Sequence, residues 1–305
     1  MDIHDRPWPP LPRLAEWADT QATLHRWLQI VGKIRLALAP PVNHWWHVTL
    51  LTTARGLTTT PMPSGDGGAF EIELDFIDHA CRLQTGDGRL REIALAPKSV
   101  AAFYREMMAA LAELGVRVRI WPMPVEIPGE TRRLDQDDAH RSYDVDAVER
   151  WWRALASTDA VLKQFRGGFL GKCSPVHFFW GGFDLAVTRF SGRRAPERPG
   201  ADRVTREAYS HEVSSAGFWP GSGPVQEASF YAYAAPAPEG FGTRPVRPAP
   251  AYYTPEFGGE FLLRYEDVRT SSSPRAALLE FLESTYDAAA SLGRWDRAAL
   301  ERNGG

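Results

Sequence analysis

Cysteine is nearly missing from this chain. Cys81 and Cys173 are the only two in 305 residues, and no CxxC spacing occurs. A disulfide framework is thereby excluded, and a reduced, cytoplasmic setting is expected. Lysine is almost as scarce. Of 35 basic residues only Lys33, Lys98, Lys163 and Lys172 are lysines, so the position of each carries more information than usual. Net charge is small, −3, and the arginines are spread along the chain. Without a basic footprint, nucleic acid is not an expected partner. Nowhere do uninterrupted apolar residues approach the roughly 18 that a membrane span requires. The opening MDIHDRPWPPLPRLAEW has no apolar core of the kind a signal peptide needs. Walker, GxGxxG, GxSxG and HExxH patterns are all lacking, which removes common nucleotide-binding and hydrolase templates but not enzymes in general.

What is plentiful is large apolar side chain, with eleven Trp and fifteen Phe, so a sizeable core is available. The length exceeds a typical domain of about 100–200 residues, and two units are the prior expectation. Apolar residues Leu24, Trp27, Leu28, Val31, Ile34 and Leu38 recur at spacings of three and four. They predict an amphipathic helix from Leu14 to Ala39, stopped by Pro40-Pro41. NHWWHVTLLTT, GLTTTPM, AFEIELDFID, ACRLQT and LREIAL predict an antiparallel meander. A helix stopped by Gly115 follows, then VRVRIW as a strand. The Pro- and charge-rich stretch 122–144 reads as a linker.

The second half repeats this order. A helix spans Val145 to Phe165. SPVHFFWGGFDLAVTRFSG forms strands about a turn at Gly181-Gly182, and SHEVSSAGFWPG, ASFYAYAAP and EFLLRYEDVR are further strands. A helix opened by Ser-Pro closes at Gly293. Similar strings fall at matched places: TLHRWLQIVGK with VLKQFRGGFLGK, and PVNHWW with PVHFFW. Self-similarity at matched elements predicts a duplication. The expected fold is α+β, with two diverged helix–meander–helix halves (1–121 and 145–305, joined by 122–144) packed about a pseudo-twofold axis.

The blocks VGKIRLALAPPVNHWWH, GKCSPVHFFWG, FDLAVTRFSGR and SHEVSSAGFWPG resemble the signature blocks of an uncharacterised bacterial family, a domain of unknown function. The resemblance spans nearly the whole chain. It implies a folded bacterial protein and transfers no mechanism.

Chemistry-bearing residues are therefore weighed one by one. Lys33 and Lys172 occupy matched positions, and an ammonium there suits a carboxylate or phosphate. The bland reading is a snorkelling lysine at a helix end. His44 and His177 each follow Pro-Val and suit a general base, a metal ligand or a core histidine bonded to backbone. His44 and His47, three apart on a strand, would point to opposite faces, so HWWH makes a poor metal pair. A zinc or iron site would need His177, His211, Glu212 and Asp184 to converge, and no diagnostic spacing supports it. Phe218-Trp219 ends a strand as a stacking platform or a plug. The sequence thus points to a cleft between the halves, with His177, His44, His211 and Glu212 as catalytic groups. Lys33, Lys172 and Trp219 would bind the ligand, with no cofactor and no metal. General acid–base chemistry on a small anionic or aromatic molecule is the leading expectation. A non-catalytic binding or sensor protein and a metal-assisted hydrolase or oxygenase are the alternatives. Oligomeric state is not legible.

Overall fold

A computed structural model describes residues 7–65 and 67–302. The first six residues of the opening segment read above for targeting lie outside them. The chain is α+β, as expected. Helix α1 runs Leu14–Leu38 and ends before Pro40-Pro41, because a residue preceding proline is pushed out of the helical region. Its middle is buried almost all round, including Trp27, Leu28, Ile30, Val31 and Ile34, so α1 lies inside the molecule.

The first sheet has the order β1 (Leu51–Thr52), β2 (Gly56–Thr58), β4 (Ala69–Asp75), β5 (Ala80–Thr85), β6 (Leu90–Ala94), with β3 (Met62–Pro63) also paired to β4. The alternation read in AFEIELD is realised: Phe70, Ile72 and Leu74 are buried while Glu71 and Glu73 turn outward. Helix α2 (Val100–Glu113) is capped by Ser99, whose side chain accepts from the Ala102 amide, and stops where Gly115 takes φ +77°. Helix α3 (Val145–Gly167) is capped in the same way by Asp144.

The second sheet has the order β11 (Tyr252–Thr254), β12 (Glu260–Arg264), β10 (Ser229–Ala235), β9 (His211–Trp219), β8 (Asp184–Arg194), β7 (His177–Phe179), all antiparallel. The turn at Gly181-Gly182 separates β7 from β8 as predicted. A short helix α4 (Arg203–Ala208) sits in the charged loop before β9. After β12 the chain turns into α5 (Tyr265–Arg269), then α6 (Pro274–Leu292) and α7 (Arg297–Leu300). One face of this sheet is covered by α3 and α6. Leu185, Val187, Phe218, Phe230 and Leu263 fill that interface.

The two sheets meet edge to edge. Leu50 and Phe178 exchange backbone hydrogen bonds of 2.9 and 2.7 Å, so β1 and β7 are neighbours at a shared seam. From that seam each sheet grows outward as a meander. The orders differ at the outer edge, where β12 inserts between β10 and β11.

Three expectations are corrected. NHWWHV is a tight 3-10 turn over Asn43–Val48 rather than a strand, with φ of +57° at His44 and +62° at Trp45. The left-handed backbone is held by tertiary contacts, since the His44 ring is tied to the carbonyls of Glu207 and Ala208 on α4. VRVRIW keeps the burial alternation of a strand, with Val116 and Ile120 inside, but pairs with no strand among the described residues. Its Val116 amide is taken instead by the Leu111 carbonyl at the end of α2. The tail of EFLLRYEDVR is the helix α5, whose Glu266 and Arg269 pair across one turn.

Candidate functional site

Alternation along the strands exposes one set of side chains on the uncovered face of the second sheet. Asp184, Ala186, Thr188 and Phe190 come from β8, Val213, Ser215 and Trp219 from β9, Tyr231 and Tyr233 from β10, and Glu260 from β12. All of them line a cavity of about 1280 Å³, larger than the ~300–1,000 Å³ of ordinary small-molecule sites. Opposite stands α1, whose Gln21, His25, Lys33 and Ala37 recur at multiples of four and so share one stripe. Segment 119–128, the 3-10 turn and α4 close the sides. The cavity therefore draws on both halves of the chain, and so does its chemistry.

Asp184 opens β8 beside the edge strand β7. Tyr231 donates to its Oδ2 at 2.5 Å. The tyrosine reaches it because β9 carries Gly217 between them: a Cβ there would sit 2.5 Å from the phenol ring and 2.4 Å from the Leu185 carbonyl oxygen. Burial pushes the Asp184 carboxyl up to about 7, against the Tyr231 hydrogen bond and helped by the charge of Glu126. Glu126 approaches across the glycine turn. The position of a Cβ at Gly182 would be 2.7 Å from Asp184 Oδ1 and 3.7 Å from Glu126 Oε2. Burial raises Glu126 as well. Glu260 is only 7 % exposed, and burial together with Asp184 moves it up to about 7. No salt bridge serves any of these three carboxyls among the described residues.

On the helical wall, Lys33 is 4 % exposed and has neither a hydrogen bond nor an ion pair among the described residues. Its ammonium lies 5.3 and 5.7 Å from the ring centroids of Trp121 and Trp180. Burial alone lowers it to about 8. Trp180 can lie on the helix because residue 32 is glycine; a Cβ there would be 2.3 Å from the indole. The indole N–H is fixed by the Val48 carbonyl at 2.6 Å. About two turns back along the stripe, His25 Nε2 lies 2.9 Å from the Gly181 carbonyl and 3.0 Å from that of Trp180. The proton therefore sits on Nε2, and burial holds the ring neutral, with its pKa lowered to about 4.

Of the residues expected from sequence to catalyse or to bind the ligand, Lys33, His44 and Trp219 reach the cavity. Trp219 packs against Tyr231 and Phe257 at 6.0 and 5.7 Å. The others do not. His177 is fully buried in the core, where its Nδ1 meets the Thr49 hydroxyl at 3.0 Å. Thr49 gives its own proton to the Trp46 carbonyl, so the His177 ring donates from Nδ1 and its buried Nε2 has no partner. Lys172 lies outside the cavity and donates to His44 Nε2 at 2.5 Å; desolvation lowers the pKa of both groups. His211 stacks edge-on to His44 at 5.8 Å. Glu212 is clamped by Arg193 at 2.7 Å and by Ser191. A zinc or iron set of His177, His211, Glu212 and Asp184 is thus spread over core, rim and cavity. Among the described residues no three His, Cys, Asp or Glu side chains are gathered to hold a metal ion. HWWH makes no pair either, because His47 Nδ1 accepts from the Val42 amide within its own turn.

Sequence reasoning missed His25, Glu126, Tyr231, Tyr233 and Glu260. The every-fourth-residue polar stripe Gln21, His25, Gln29, Lys33 on an otherwise apolar helix was the signal for the first. Nothing local marks Glu126, which comes from the stretch read as a linker. Neither curated proteins nor solved structures yield a match to this chain. A family model does match, over residues 8–302, and it covers both sheets and every wall of the cavity. The chain belongs to that family, DUF5996, a family of unknown function.

Proposed function

We propose that the protein is a small-molecule enzyme working by general acid–base chemistry in this cavity, with Asp184 handling the proton. The observation that carries this reading is the Asp184–Tyr231 pair. It is a carboxyl turned into the cavity, hydrogen-bonded by a phenol and without an ion pair among the described residues. A carboxyl that ionises near neutral pH can both give and accept a proton, which is what an acid–base catalyst needs. Tyr231 orients the carboxyl, and Lys33 on the facing wall offers an ammonium to an anionic group of the substrate. Trp121, Trp180, Trp219 and Phe257 supply faces for an aromatic or apolar body. Two unpaired thiols fit a cytoplasmic setting. The two sheets share a seam but differ in strand order, so the position of the site, between α1 and the second sheet, rather than a duplication, supports this reading.

The test begins with native mass spectrometry of small molecules that co-purify with the protein. Incubation of the retained compound with wild type and with Asp184→Asn follows. The expected result is conversion by wild type and a loss of roughly 10²-fold or more in the variant. Equal turnover by both proteins would remove Asp184 from the chemistry. A compound bound tightly and returned unchanged would make the protein a carrier or sensor.

A further inference from the structure

Two buried charged groups in the same cavity lack partners, and they are of opposite sign. Glu260 enters from the start of β12, is 7 % exposed, faces the cavity, and has no hydrogen bond or ion pair to its carboxyl among the described residues. Lys33 enters from α1, is 4 % exposed, and is equally alone. They do not serve each other. No carboxylate offsets the burial that depresses Lys33, and no cation offsets the burial that raises Glu260 or Asp184. Buried charge is ordinarily paired. Here each pole is left open toward the same space, with Trp180 at the lysine and Trp219 and Tyr231 toward the carboxyls.

We infer that the cavity is shaped for an elongated zwitterion, an apolar or aromatic body with a cationic nitrogen at the sheet wall, against Glu260 and Asp184, and an anionic group at Lys33. This rests on the reading of the cavity as the substrate site. It adds the substrate's charge pattern, which that reading leaves open. A purely anionic ligand would satisfy Lys33 and meet carboxyls at the other end. A purely cationic one would leave Lys33 desolvated and unpaired. Only a molecule bearing both charges, spaced as the two walls are, supplies every missing partner.

The test is a displacement assay on the full chain. The neutral fluorescent probe N-phenyl-1-naphthylamine reports occupancy of the cavity. Competitors are the dipeptide Phe-Phe, its N-acetyl form, which removes the cation, and its C-terminal amide, which removes the anion. We expect Phe-Phe to displace the probe at a concentration at least tenfold below either capped form. The double change Asp184→Asn with Glu260→Gln should erase the preference over the N-acetyl form alone, and Lys33→Met the preference over the amide alone. Wild-type protein makes the first comparison by itself, so an unfolded variant does not spoil the test. Probe binding with no preference for the free dipeptide overturns the zwitterion while the cavity remains a binding site. Sensitivity to only one cap overturns it too, since one pole is then idle. Failure of the probe to bind at all sinks the cavity reading and this inference together.

Discussion

His177 shows how one histidine's role is settled by its neighbours. Its ring donates to Thr49 and is otherwise enclosed by Trp46 and Phe179, whose centroids are 6.5 and 4.6 Å away. Burial lowers it to about 3, so it stays neutral throughout the physiological range. Replacing it with alanine removes a packed ring and leaves the Thr49 oxygen without its donor. His177→Ala is expected to lower stability by roughly 1–3 kcal/mol, read as a fall in the denaturation midpoint. Affinity for the cavity probe should stay within twofold of wild type. A variant of undiminished stability that no longer binds would return this histidine to the site. His44 differs because a left-handed turn directs it to α4 and Lys172, on the flank of the cavity.

Elements are held around the cavity by a few specific bonds. Segment 119–128 has no regular structure, yet it supplies Trp121, Ile127 and Glu126 to the wall. What fixes it is Gln29 of α1, whose amide gives a hydrogen bond to the Val125 carbonyl at 2.7 Å and takes one from the Val125 N–H at 2.9 Å. Gln29 is itself fully buried. The two bonds mimic one rung of a sheet and stand in for a strand partner. Gln29→Ala leaves both Val125 groups unsatisfied, and a cost of about 1–3 kcal/mol is expected. The accompanying signature is local: amides from 121 to 128 should exchange with deuterium at least tenfold faster, while those of β9 and β10 hold their protection. Uniform acceleration across all elements would mean that Gln29 supports the global fold rather than this wall.

At the scale of the whole molecule, the unpaired acids make stability depend on pH in an unusual sense. Asp184 and Glu260 ionise near pH 7 in the folded chain, against ordinary values of 3.8 and 4.5. Between about pH 4 and 7 the folded state therefore binds more protons than the unfolded one. Their contribution is fully present on the acid side and is lost as pH rises through 7. His25 and His177, lowered to about 4 and 3 from 6.5, act the other way, and stability is lost from them as pH falls below 6.5. Lys33, lowered to about 8, begins to restore stability only above that pH. In the window from about pH 6.5 to 7.5 these two acids pull the urea midpoint down as pH rises, while the lowered histidines, His44, His47, His79 and His211 included, pull it up. The double change Asp184→Asn with Glu260→Gln removes the downward part, so across that window the variant's midpoint should rise relative to that of wild type as pH increases. Parallel profiles for wild type and double variant would show that the two carboxyls titrate normally.

The sequence by itself determined the α+β class, the α1, α2, α3 and α6 helices, and most strands. These follow from local rules: apolar spacing, side-chain caps at Ser99 and Asp144, stops at Gly115 and Pro40. It also marked Lys33, His44 and Trp219 for the cavity. Tertiary structure alone decided the rest. HWWH has strand composition, but contacts to α4 impose a left-handed turn that no local preference favours. VRVRIW has strand periodicity and no edge to join. Asp184, Glu126 and Glu260 are far apart in the chain, and each looks like an ordinary surface acid in its own segment. What sets Asp184 and Glu260 apart is that they face the cavity between the sheet and α1 with no ion pair among the described residues, and desolvation is a property of the assembled space around a group.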